Sequence, residues 1–139
     1  MKKIVTISII IIILISIISI SANIIAIYVE TSKILEFEMT EQEYNYYKNE
    51  RSILKEEKIV GPVKNLADVR KQAELIFSEF FGEEEAKSRK PYIVAYDKKT
   101  KIWHIVGDKK TILPGVAVLS KSLHLLITED EGKVISLWK

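Results

Sequence analysis

Two histidines, His104 and His124, are the only imidazoles in a chain of 139 residues, and there is no cysteine. The pair does not stand in a metal spacing such as H-x-x-x-H, and no Cys is present to complete a thiolate set. His104 shares an expected strand face with Ile102 and Val106. His124 alternates with Leu123 and Leu125 on another strand. Both read as packed or half-exposed side chains rather than ligands. No serine sits in G-x-S-x-G, and no glycine-rich loop is shaped for phosphate. Carboxylates gather in "GEEEAK" (Gly82–Lys87) and "TEDEG" (Thr128–Gly132), which read as solvated loops. Acid–base work would require such groups to face each other in a cleft. The expectation is therefore no catalytic set, no metal and no cofactor. Absence of cysteine also excludes disulfides and an acylated lipoprotein cysteine.

Aromatic residues are better represented: Tyr92, Tyr96, Trp103 and Trp138, with Tyr44, Tyr46 and Tyr47 upstream. Tyrosine and tryptophan bury large areas at low entropic cost, which suits both binding hot spots and small cores. Trp103 shares a face with Ile105 and reads as core. Trp138, on a terminal strand, is open to either role.

Three kinds of element must position these groups. Thr40 followed by Glu43 fits a capping box, so an amphipathic helix is expected from Glu41, carrying Tyr44, Tyr47 and Leu54 and ending before Gly61-Pro62. Asn65 caps a second helix, with Asp68 in its first turn. Its stripe is Leu66, Val69, Ala73, Ile76, Phe77 and Phe80, and Gly82 provides a left-handed stop. From Pro91 the period shortens to two. Strands are expected at Tyr92–Tyr96, Lys101–Val106, Val116–Ser120, Leu123–Thr128 and Lys133–Trp138, joined by "DKKT", "KS" and "EDEG" turns. Loops this short connect antiparallel neighbours. The fold class is α+β, helices packed on a curved antiparallel sheet.

Ahead of this body, residues 4–29 carry no charge and are rich in isoleucine. As a helix these 26 residues would measure about 39 Å against a hydrocarbon core of about 30 Å. Lys2 and Lys3 precede the run, and Glu30, Glu36 and Glu38 follow it. The positive-inside rule then puts the N-terminus in the cytoplasm and the body outside. A cleaved signal peptide, with "SISA" at residues 19–22, is the competing reading and gives a secreted protein. Removing Lys2 and Lys3 from the 21 basic residues leaves 19, equal to the 19 acidic ones. A neutral body argues against nucleic acid as a partner. The chain thus divides into an anchor (1–29), a connector with the first helix (30–62) and an α+β domain (63–139).

The run from Ala73 to Asp108, followed by "LPGVAVL" and "LLITEDEGKVISLWK", resembles the nuclear-transport-factor-2-like immunity proteins of bacterial polymorphic toxin systems. The shared features are Phe80-Phe81-Gly82, the Pro91-Tyr92 strand reaching Tyr96-Asp97, and Trp103, Ile105 and Gly107 in a W-x-V-x-G pattern. An acidic turn, Asp130-Glu131-Gly132-Lys133-Val134, leads to Trp138. Departures are Pro114-Gly115 in place of paired glycines, the inserted Glu131, and no histidine after Trp138. The resemblance covers residues 66–139 and implies a nuclear-transport-factor-2-like (cystatin-like) fold that binds a cognate protein toxin and occludes it, without catalysis.

On that expectation, partner contacts would come from Tyr92, Tyr96, Trp103, His104, Trp138, Glu129, Asp130 and Glu131, with the membrane held through residues 4–29. One alternative is a tethered envelope module taking a small ligand in the sheet's concavity. Another is an enzyme using that concavity, with Asp97, Tyr96 and His104 as participants.

Overall fold

The computed structural model of the protein describes residues 11–19, 33–108 and 121–139. The chain divides into two compact units, Met1–Lys33 and Ile34–Lys139. In the first, residues 11–19 form helix α1, its isoleucine side chains exposed. Among the described residues no helix is long and apolar enough to cross a membrane. The rest of the expected 4–29 span lies outside the described residues, as does the expected strand at Val116–Ser120.

The second unit is α+β. Its order is β1 (Ile34–Glu36), α2 (Glu41–Tyr46), a π-helical turn (Tyr47–Arg51), α3 (Leu66–Phe81), α4 (Glu83–Ser88), β2 (Ile93–Asp97), β3 (Ile102–Gly107), β4 (Leu123–Thr128) and β5 (Val134–Trp138). Among the described residues these strands form one sheet in sequence order. β2 to β5 run antiparallel, whereas β1 lies parallel to β2 with Leu35 opposite Ala95. The sheet is therefore mixed, not wholly antiparallel, because the stretch taken for a connector contributes a strand. Its signal is the alternation of Leu35, Phe37 and Met39 with Glu36 and Glu38.

Local sequence explains most of the helix ends. Thr40 accepts the Glu43 N–H at 3.2 Å, and the Glu43 carboxylate accepts the Thr40 N–H at 2.9 Å. This capping box starts α2 as expected. The helix stops earlier than expected, at Arg51, because the following backbone pairs with β5 instead. Ile53 donates to the Leu137 carbonyl at 2.8 Å, Val134 donates to Lys58 at 2.9 Å, and Ile59 bridges Lys133. Asn65 caps α3, accepting from the Asp68 N–H at 2.9 Å. Val69, Ala73, Ile76 and Phe77 are buried, but Phe80 is 38% exposed and leaves the stripe. Gly82 has φ 95° and ψ 149°, so it turns the chain without the left-handed helical stop. The "GEEEAK" segment is then a helix, α4, rather than a loop. Three glutamates in its first turn complement the dipole there.

The sheet separates two apolar clusters. On its first face, Val94, Trp103, Ile105, Leu125, Ile127 and Leu137 pack with the buried side of α3. Trp103 is core, its indole N–H donating to the Val63 carbonyl at 3.0 Å. On the second face, Ile102, Leu126, Ile135 and Trp138 meet Phe37, Met39, Tyr44 and Tyr47. Tyr44 and Tyr47 bring α2 and the π turn over one end of that face.

Candidate functional site: the histidine-aromatic face

Period two places His104 with Ile102 and Val106 on the second face, and His124 with Leu126 beside them. The β3–β4 register sets Val106 opposite His124 and Leu126 opposite His104, which makes the histidines diagonal neighbours. Their rings meet, His104 Nε2 lying 3.1 Å from His124 Nδ1. Trp138, opposite His124 on β5, lies parallel to its ring at 4.7 Å between centroids. The indole also stacks on Tyr47 at 4.8 Å and faces His104 at 5.9 Å. Phe37 closes the other side of His104 edge-on at 5.9 Å.

This surrounding sets the charge state. Burial, with His124 beside it, pushes His104 down to about 4. Burial also lowers His124, partly offset by the Asp108 carboxylate and reinforced by Arg51. Desolvation disfavours the imidazolium in both cases. The pair is neutral at pH 7, a coupled set of two nitrogens in an aromatic wall.

The other expected contact residues are distributed differently. Tyr92 and Trp103 belong to the first-face core, with 2% and 4% exposure, and Trp138 keeps 7%. A partner cannot reach these three; they support a surface and do not form it. The Tyr92 hydroxyl donates to the Ala86 carbonyl at 2.7 Å, and burial pushes it up to about 12. Tyr96 is half-buried against Trp103, and its hydroxyl donates to Glu129, a hydrogen bond that raises it to about 12. Asp130 and Glu131 are exposed on the turn before β5, with Lys101 3.6 Å from Asp130.

Asp97, Tyr96 and His104 do not converge. Tyr96 points to the first face and His104 to the second. The buried Asp97 carboxylate is occupied by N–H groups of Met39, Lys99 and Thr100 and by the Thr100 hydroxyl. Burial would raise this acid, and those four donors outweigh it and hold it below the usual carboxylate range. It is a turn-fixing group. A cleft of about 460 Å³ runs between α2 and the sheet end, lined by Met39, Tyr44, Ile102 and Thr128 among others.

Sequence reading treated each histidine singly and missed Phe37 and Leu35. No local pattern joins residues 20 positions apart; only the strand register does. Exposed apolar side chains mark the far end of the second face: Leu35 on β1 and Ile93 on β2 are 42% and 46% exposed, with Ile34 on the same edge strand.

Compared with known proteins, the chain matches no family model, no curated protein and no solved structure.

Proposed function

We propose that the protein is a membrane-tethered immunity protein that binds a cognate protein toxin and occludes it. In this reading residues 4–29 anchor the chain, Lys2 and Lys3 stay on the cytoplasmic side, and the α+β body stands outside, built on the nuclear-transport-factor-2-like plan. A toxin acting on the envelope, or crossing it, would be met there.

The observation that carries the reading is the exposed apolar edge of Ile34, Leu35 and Ile93. Large side chains left open on adjacent strands mark a protein-binding surface more often than a reaction centre. A sheet edge also offers backbone groups to an incoming chain. The resemblance of the C-terminal half supplies the kind of partner. The acidic turn at Asp130 and Glu131 would steer a basic toxin surface toward it.

Coexpression with the product of the adjacent gene, followed by pull-down and a growth-rescue assay, tests this. Wild type is expected to retain the toxin and restore growth, and Leu35→Glu with Ile93→Glu to lose both while keeping the fold. Protease shaving of intact cells should digest the body. Equal protection by an anchor-deleted cytoplasmic form would overturn the topology, and rescue by the double variant would overturn the surface.

A further inference from the structure

The two histidines carry an inference separate from toxin binding. A hydrogen bond between neutral imidazoles uses one N–H and one lone pair, and each ring retains a second nitrogen for its other valence. Moving one proton to an outer nitrogen leaves Nε2 of His104 and Nδ1 of His124 both bare and facing each other. No net proton need leave.

We propose that His104 and His124 form a two-imidazole site for a divalent transition-metal ion of the Zn²⁺ or Cu²⁺ class, with water completing the coordination shell. Zinc–imidazole bonds of about 2.0–2.1 Å put two nitrogens on one tetrahedral ion about 3.3 Å apart. The observed separation is 3.1 Å, so a small adjustment of the rings admits the ion. The donors stand on adjacent strands of a continuous sheet, in a register that fixes their spacing before any ion arrives. Imidazole nitrogen selects zinc, copper and nickel over calcium and magnesium. Ligation also requires neutral rings, which the burial of both side chains favours. Among the described residues no third His, Cys, Asp or Glu converges on the pair. Both histidines remain partly exposed. Asp108 is the anionic group acting on His124, and Arg51 the opposing cation.

The test uses the full chain in detergent micelles, purified without a histidine tag, because the sequence holds just these two histidines. ZnCl₂ is titrated while the two tryptophan indole N–H signals and the histidine ring nitrogens are followed by NMR. Trp138 stacks on the site and Trp103 lies on the other face, which gives a reporter and a control. Saturation at one ion per chain is expected, with the Trp138 signal shifting, Trp103 staying in place, and His104 Nε2 and His124 Nδ1 moving to coordinated values. CuSO₄ should broaden Trp138 selectively. His104→Gln and His124→Gln should each weaken binding by about tenfold or more. The ring-nitrogen readout on wild type stands even where a variant misfolds. No shift at Trp138 or the ring nitrogens, or a shift that persists in the double variant, would overturn the proposal. Toxin binding can fail while zinc binding holds, so the two ideas are tested apart.

Discussion

The indole of Trp138 and the imidazole of His124 lie within 2° of parallel, one from the last strand and one from its neighbour. A terminal strand is an unexpected place for a buried tryptophan. It is held because Tyr47 stacks on the same indole and Ser136 donates its hydroxyl to the Tyr47 carbonyl at 2.6 Å. Removing the ring takes one packing partner from each histidine and from Tyr47. Trp138→Ala should cost about 3–5 kcal/mol in urea unfolding, and Trp138→Phe markedly less.

Stability should fall with acid in two steps. His104 has a folded value near 4 against an ordinary 6.5. Between those values the unfolded chain takes up a proton that the folded chain refuses, so stability drops as pH falls from 6.5 to 4. His104→Gln should flatten this upper slope. Asp97, held low by its four donors, carries the same sign in a lower window: its contribution is present above its ordinary value of 3.8 and is lost as pH falls below it. Thermal melts of wild type and His104→Gln from pH 7 to 3 separate the two.

Two glycines with positive φ should behave differently. A Cβ on Gly132 would stand 1.9 Å from the Gly61 carbonyl oxygen, with φ at +64°. The obstruction is backbone, which also bonds through Gly61 N–H to Glu131 at 3.1 Å. At Gly61 a Cβ meets nothing within 4 Å. Gly61→Ala should therefore cost about 1 kcal/mol for its backbone conformation alone, and Gly132→Ala distinctly more, by chemical denaturation of both.

Arg89 is 2% exposed, and its guanidinium ties α4 to the residues just ahead of β4. It pairs with Glu85 on α4 and donates to the Lys121 carbonyl at 2.7 Å, just ahead of β4. Arg89→Met leaves the Lys121 carbonyl without this donor, while Glu85 keeps Lys139 at 3.0 Å, and should cost about 1–3 kcal/mol. Hydrogen exchange should quicken first at the Leu123 end of β4. Arg89→Lys should recover part of the loss, as a single point charge cannot serve both partners.

What the sequence made legible were features written within four residues of each other. The Thr40–Glu43 box, the Asn65 cap and the glycine turn before β5 all lie where their local chemistry puts them. β4 spans Leu123–Thr128 as expected, while β2, β3 and β5 begin one residue later than their alternation suggested. β1 was harder because three exposed residues gain their conformation only from β2, some 60 positions on. The histidine pair is harder still. Each ring reads correctly as half-packed, but their meeting depends on a diagonal step across two strands. Tyr92 is the converse case: residue type suggested contact, and packing claimed it for the interior, whereas Trp103 lies in the core that its strand face indicates.

The sheet's two borders are unequal. Along β5 the chain lays its own residues 53–60 as a selvage, using backbone bonds from Ile53 and to Lys58. Among the described residues nothing comparable flanks β1, whose Ile34, Leu35 and Glu36 are all exposed. A molecule with one open border can join a like molecule once, border to border, and then has none left to offer. Among the described residues, the β5 border is already taken by the chain itself and the β1 border is the one left open to an added strand.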